Sequence, residues 1–84
     1  MRFHFHVDGD DDLDGTELNS VAAAKCEAVK LAGRMLCESA SEFWDSTGFM
    51  MIVTDGRGMV LFTLDFVGIE APAIKLYPSV TASA

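Results

Sequence analysis

The first residues of the chain alternate between polar and apolar side chains, with a period of two. The apolar members of this alternation are Phe3, Phe5 and Val7. Such a pattern predicts a half-buried β-strand over residues 2–7. We expect its apolar side chains to face the core, whereas His4 and His6 face away from it.

A longer segment repeats its apolar residues with the period of an α-helix. Asn19 or Ser20 is suited to cap this helix, and strong helix formers follow from Val21 onward. At 100° per residue, one stripe collects Val21, Ala28, Val29, Ala32, Met35, Leu36 and Phe43. The charged residues Glu27, Lys30, Arg34 and Glu38 fall on the opposite side. The pattern predicts an amphipathic helix of roughly 18–24 residues packed on a flat surface.

Two β-rich runs follow, over residues 49–54 and 59–66, and the four residues between them include two glycines. A short connection of this kind predicts a β-hairpin. On the core face of the hairpin we expect Met51, Val53, Val60, Phe62, Leu64 and Phe66.

The other face of this hairpin is apolar as well. Its outward residues are Met50, Ile52, Met59 and Leu61. One helix covers only one face of a sheet, and the second face of an antiparallel sheet is normally polar. We therefore expect a cover, which is the apolar tail from residue 67 with an extended piece at 73–77, a second copy of the chain, or both together.

Together these elements predict an α+β fold in the order β-α-β-β, with one helix on a small, mostly antiparallel three-stranded sheet. The first strand is expected to run parallel to the second through a right-handed crossover. A chain of 84 residues is one domain by size. We expect a core over residues 1–66 and an apolar, extended tail over 67–84 that is frayed at 81–84.

Charge narrows the classes of function. Thirteen acidic and six basic residues give a net charge of −7, which disfavours direct nucleic-acid binding and favours a basic protein partner or a cation. No apolar run approaches the roughly 20 residues of a membrane span, and the first residues do not form a signal peptide. These patterns predict a cytoplasmic protein that does not bind membranes.

Six of the acidic residues lie in one turn between the first strand and the helix. They are Asp8, Asp10, Asp11, Asp12, Asp14 and Glu17. One interpretation is a solvated turn that the helix macrodipole favours, and another is a docking surface for a basic partner. A third is a calcium loop, because Asp10, Asp12, Asp14 and Gly15 have the spacing of its first half. The position of the bidentate Glu is Val21, so we expect calcium binding to be weak or absent.

Other chemistry has less support in the sequence. His4 and His6 have a spacing that two metal ligands can use, but no third ligand is evident. Cys26 and Cys37 would lie about 16 Å apart along one helix, which is too far for a disulfide, so we expect free thiols. Because no nucleophile is paired with a base, we predict neither an enzyme nor a cofactor.

Four short motifs suggest a relationship to a known family. They are Phe3-His-Phe-His-Val7, Asp12-Leu-Asp-Gly-Thr-Glu-Leu18, Ala22-Ala-Ala-Lys-Cys-Glu-Ala28 and Ile52-Val-Thr-Asp-Gly-Arg-Gly-Met-Val-Leu61. Over residues 2–66 the chain resembles an alphaproteobacterial family of short, mostly acidic proteins described as domain of unknown function 6894. The resemblance supports the β-α-β-β order and implies no activity or cofactor.

The leading hypothesis is a non-enzymatic binding module, a homodimer formed through the Met50, Ile52, Met59 and Leu61 face, whose acidic turn contacts a basic partner. An alternative is an inhibitor or regulator that mimics nucleic-acid phosphate and blocks a basic groove. A third hypothesis is a weak divalent-cation binder that uses Asp10, Asp12 and Asp14.

Overall fold

A four-stranded antiparallel sheet carries one long helix on one of its faces, which confirms the predicted α+β class. The computed structural model describes residues 1–46 and 48–78, so the predicted fraying at 81–84 lies outside the described residues. The strands are β1 (Arg2–Val7), β2 (Thr16–Glu17), β3 (Phe49–Asp55) and β4 (Val60–Phe66). The helices are α1 (Val21–Glu38), α2 (Ala40–Phe43) and a 3₁₀ helix at Pro72–Leu76.

The sheet order is β2-β1-β3-β4, and every pair of neighbours is antiparallel. The predicted parallel arrangement of the first two long strands is therefore wrong, and so is the count of three strands. The reason is that the acidic turn folds back along β1, so that Thr16 in β2 pairs with Phe3 near the start of β1. Helix α1 then begins at that end of the sheet and ends at the other. Strand β3 must consequently run back against β1.

Helix α1 begins and ends close to where the sequence predicts. The Oγ of Ser20 accepts a hydrogen bond from the backbone N–H of Ala23 at 3.1 Å, as an N-cap does. The helix has 18 residues, and the N–H of Ser39 closes it by donating to the carbonyl of Met35. Phe43 belongs to the separate helix α2, so its predicted place on the stripe of a single helix is wrong.

The core lies between α1 and the two central strands. Its fully or almost fully buried residues are Phe3, Phe5, Ala24, Ala28, Ala32, Met51 and Val53. Three alanines spaced by four form a narrow ridge that lets the helix backbone approach the sheet closely. The packed stripe is therefore narrower than predicted: Val21 is exposed, and Val29 is 56% exposed.

The predicted β3–β4 hairpin is confirmed. The Oδ1 of Asp55 accepts hydrogen bonds from the backbone N–H groups of Arg57 (2.8 Å) and Met59 (3.0 Å), which closes the turn. The register shifts between Val53 and Thr54, so that Thr54 pairs with Val60. This bulge removes Val60 from the core face and leaves it 60% exposed, so the prediction of a core position for Val60 is wrong.

The outer face of the sheet, opposite α1, is not covered by residues 67–78, whose side chains are all exposed. A side chain at position 68 would collide with the rings of Trp44 and Phe43, so Gly68 lies directly against them. That contact turns the chain toward α2, on the helix side of the sheet. The described part of the tail therefore does not cover the outer face, and its predicted extended piece is a 3₁₀ helix.

Candidate functional site

The acidic loop, residues 8–15, leaves β1 through a tight turn. The backbone groups of Val7 and Asp10 exchange two hydrogen bonds, of 3.1 and 2.8 Å. Gly9 lies in this turn with φ 75°, a conformation that glycine adopts without strain. The turn directs the loop back along the edge of β1 rather than away from the sheet.

Asp12 fixes the middle of the loop to that edge. Its Oδ2 accepts a hydrogen bond from the backbone N–H of Phe5 (3.1 Å), and its Oδ1 accepts one from the N–H of Gly15 (3.0 Å). Partial burial raises the pKa of Asp12, but the backbone donors of Gly15 and Phe5, with His4 nearby, lower it by more. The pKa therefore lies below its ordinary value of 3.8, and the carboxylate is an internal anchor.

Two histidines bind the backbone of the same loop from the outer face of β1, where the sequence predicts them. The Nδ1 of His4 donates to the carbonyl oxygen of Asp12 (2.8 Å), and the N–H of Asp12 donates to the Nδ1 of His6 (3.2 Å). The Nε2 of His6 then carries the proton and donates to the Oγ1 of Thr54 (3.1 Å). The rings are stacked with centroids 6.0 Å apart. Both side chains therefore hold the loop.

The end of the loop is anchored through Arg2. Its Nη1 donates to the carbonyl oxygen of Asp14 (2.8 Å), and its Nη2 lies 3.4 Å from the Oε2 of Glu17. A hydrogen bond from the amino group of Met1 lowers the pKa of Glu17, with Arg2 adding to the effect. Gly15 has φ 74° and leaves no room for a Cβ beside Arg2. Glu17 is therefore paired within the chain, and its partner-binding role stays a prediction.

The remaining loop carboxylates, those of Asp8, Asp10, Asp11 and Asp14, are exposed. Within residues 1–46 and 48–78, none of the four lies within 4 Å of a Lys or Arg nitrogen, and only Asp11 approaches a histidine, at 3.7 Å from His6 Nδ1. Their charge is therefore directed to solvent. The sequence identified these residues, but it gave no means of separating them from the anchors.

No metal centre is assembled in the part of the chain that the structure describes, where no three His, Cys, Asp or Glu side chains are placed to hold an ion. Asp10, Asp12 and Asp14 are not brought together, because both oxygens of Asp12 face backbone N–H groups. The two thiols, Cys26 and Cys37, are exposed and unpaired by disulfide.

A groove of about 640 Å³ separates the acidic loop from α1. Its apolar part is formed by Phe5, Val7, Leu31 and Met35, and its acidic rim by residues 10–14. Leu13 stands within this rim and is 86% exposed. The groove was not predicted from the sequence pattern; a single leucine inside an acidic run is the signal that could have indicated it.

The residues predicted for self-association lie together at the β3–β4 side of the outer face. Met50 and Leu61 are each 39% exposed, Ile52 is partly buried, and Met59 is exposed in the turn just before β4. The cross-strand partners of Met50 and Ile52 in β4 are Asp65 and Thr63. This region is an apolar patch with a polar border.

The fold and the loop together define a small acidic α+β domain with one fixed, negatively charged loop. The chain belongs to the family described as Domain of unknown function (DUF6894), whose model matches residues 2–67. The predicted relationship is thereby confirmed, while the alphaproteobacterial source stays a prediction. Neither a curated protein nor a solved structure matches the chain. Among the described residues, no helix has the length and hydropathy needed to cross a membrane.

Proposed function

We propose that this protein is a non-enzymatic binding module that presents its acidic loop to a basic partner. One observation carries the proposal: the loop backbone is anchored by Asp12, His4, His6 and Arg2, while four other carboxylates point to solvent. A cytoplasmic location belongs to the same proposal, as does the absence of direct nucleic-acid and membrane binding.

The anchoring matters because ordering a flexible segment on binding costs free energy. A loop that is already fixed avoids much of this cost. Exposed charges of one sign also accelerate the encounter with an oppositely charged partner, and this acceleration weakens as salt is added. An anchored loop with exposed carboxylates is thus suited to recognising Lys-rich or Arg-rich segments.

The test is titration of a fluorescent, Lys-rich peptide at low and at physiological salt. We expect Asp10→Asn, Asp11→Asn and Asp14→Asn together to weaken binding about tenfold to hundredfold, since each exposed charge pair contributes up to about 1 kcal/mol. The matched control changes Glu38, Glu42 and Glu70 to Gln, which removes the same charge from elsewhere. Equal weakening in both variants would mean that only net charge matters and would contradict a specific loop site.

Self-association through the apolar patch of the outer face is the second part of the proposal. Exposed Met50 and Leu61 support it, because contiguous exposed apolar residues often mark an interface. With the patch as the interface, the native chain is expected to be a dimer in light scattering and Met50→Glu to halve the mass, because the new carboxylate would lie opposite Asp65. Leu13→Glu, an equal change outside the patch, should leave the mass unaltered. A dimer that survives Met50→Glu would contradict this interface.

Mimicry of nucleic-acid phosphate is the alternative, and it is favoured by the same exposed carboxylates. It predicts that the protein displaces DNA from a basic nucleic-acid-binding protein, and that the Asn variants of the loop do not. Binding of the basic peptide without any displacement of DNA would leave the simple binding module as the better account. The calcium hypothesis gains no support from the geometry of Asp10, Asp12 and Asp14.

A further inference from the structure

Strand β4 is a long edge of the described sheet, with β3 as its only neighbour there. Its seven residues include no Pro and no Lys, and Asp65 is its only charged residue. Natural proteins usually protect such edges with those residues or with very short strands. The other edge is protected in this way, because β2 has only two residues and lies beside the anchored acidic loop.

The hydrogen bonds of the hairpin establish which backbone groups of β4 point outward. Asp55 donates its N–H to Met59 and accepts at its carbonyl from Gly58, so its polar groups face the β4 side. Because these groups alternate in direction along a strand, Met51 and Val53 face β4 as well. Their partners in β4 are Leu64 and Phe62.

Thr63 and Asp65 therefore direct their N–H and C=O groups to the free edge. Strand β1 supports this alternation independently, since the N–H of Phe5 points away from β3 to Asp12. Backbone donors and acceptors of this kind bind either water or another strand.

We propose that β4 pairs antiparallel with β4 of a second copy of this chain, about a two-fold axis at Thr63. In this register Thr63 faces Thr63 of the other copy, so residues with outward backbone groups meet one another. Phe62 faces Leu64, and Leu61 faces Asp65, so no two like charges lie opposite. The two sheets become one sheet of eight strands.

Side chains that the fold leaves half-exposed support this register. Phe62 and Leu64 face α1 but are only partly buried. Leu36 lies beside Phe66, and Val29, seven residues earlier, is on the same flank of the helix. A two-fold axis perpendicular to the sheet keeps both helices on one side. The β4–β4 seam then becomes an apolar floor between two helix flanks.

The distribution of charge also favours this edge for a second copy. Each chain carries a net charge of −7, and six of its acidic residues lie in or next to the acidic loop at the β2 edge. Pairing through β4 separates the two β2 strands by seven strand spacings, or about 34 Å. That distance is several Debye lengths at physiological salt, so the loops barely repel each other. Both loops stay open at the ends of the joined sheet.

This inference rests on the proposed self-association but places the contact at the β4 edge in place of the outer-face patch, so the two surfaces are rival interfaces for one dimer. Light scattering of paired variants tests it. Thr63→Pro removes one outward N–H without removing a bond to β3, and edge strands tolerate Pro at such positions. Thr63→Val keeps the N–H. With β4 as the interface, the native chain, Thr63→Val and Met50→Glu are expected to be dimers, and Thr63→Pro is expected to be a monomer with an unchanged circular dichroism spectrum.

The other outcomes overturn the inference. Dimers for both variants would show that the edge is not used, and monomers for both would show that the hydroxyl group, not the backbone, matters. If the native chain is a monomer, neither surface is an interface. If Met50→Glu is a monomer and Thr63→Pro is a dimer, the outer face is the interface and the β4 edge is not.

Amide hydrogen exchange covers the case in which Thr63→Pro misfolds. In the native chain, the N–H groups of Thr63 and Asp65 should be protected at high protein concentration and should exchange faster on dilution. Rapid exchange of both at every concentration would overturn the pairing even if no variant folds. Binding of the basic peptide is measured in a separate experiment. The proposed function of the acidic loop is therefore tested independently of the β4 pairing.

Discussion

Replacing Phe3 with Ala is expected to lower the free energy of unfolding by about 3–5 kcal/mol, the usual effect of removing a buried aromatic ring. Phe3 is fully buried between the sheet and the alanine ridge of α1. Its core neighbours on α1 are the short side chains of the alanine ridge, which cannot fill the cavity that the ring would leave. Since small domains have stabilities of about 5–15 kcal/mol, this loss would be a large part of the total.

Urea unfolding followed by circular dichroism measures the effect of Phe3→Ala. The matched control is Phe62→Ala, the same substitution on the same sheet face at a ring that is only partly buried. We expect a loss of about 1–2 kcal/mol in the control, because less apolar area leaves water there on folding. The control must be run under conditions in which the chain is monomeric. Equal losses at the two positions would contradict a core centred on Phe3.

The second large effect on the free energy of unfolding is expected at Asp12. Asp12→Ala should cost about 2–3 kcal/mol, because it leaves the backbone N–H groups of Phe5 and Gly15 without their acceptor. Asp12→Asn keeps one acceptor oxygen and should fall between the native chain and Asp12→Ala. Both variants should also bind the basic peptide more weakly, since the other carboxylates would no longer be held in place. Asp11→Ala, at an exposed side chain, should change stability by less than about 0.5 kcal/mol.

The pH dependence of this contribution follows from the lowered pKa of Asp12. A carboxyl group whose pKa is lower in the folded state binds fewer protons there than in the unfolded state, so it stabilises the fold at higher pH. The stabilisation from Asp12 is fully present when the pH is above 3.8, the ordinary pKa of the group. It is lost as the pH falls through the lower pKa that Asp12 has in the folded state. The stability difference between native chain and Asp12→Asn should therefore be constant near neutral pH and shrink in acid. A difference that grows in acid would contradict the anchoring role.

The elements with strong local periodicity could be predicted from the sequence. The alternation around Phe3 and Phe5 predicts β1, the helical stripe after Ser20 predicts α1, and the glycines at 56 and 58 predict the hairpin. Each of these depends on residues that are neighbours in the chain, so their side chains carry the signal directly.

The direction of β1 could not be predicted in the same way. It depends on the acidic loop retracing β1, which in turn depends on one carboxylate, that of Asp12, reaching the backbone of Phe5. The spacing from Asp12 to Gly15 is compatible with such a turn, but it is equally compatible with a calcium loop. The local pattern does not say whether the carboxylate of Asp12 will bind backbone N–H groups or a cation.

The candidate site was likewise predictable from the sequence only in part. The sequence located the loop and its acidic residues, and the exposure of Asp8, Asp10, Asp11 and Asp14 fits the predicted surface. It did not separate them from Asp12 and Glu17, because that distinction comes from contacts made only after β1 and the loop have paired. The exposure of Val60 was missed for a similar reason, since a bulge is a property of two strands together.

The antiparallel order of the sheet has a further consequence, which concerns the kinetics of folding. β1 with β2, and β3 with β4, are pairs of strands close in sequence, so each can form as a local unit. Of the three ladders that the structure describes, only β1–β3 joins segments separated by the loop, α1 and α2. Closing that ladder carries the largest entropic cost among the strand pairings, and two-state proteins fold more slowly as such distant contacts accumulate. The centre of this sheet, rather than its edges, is therefore where we expect the folding rate to be decided.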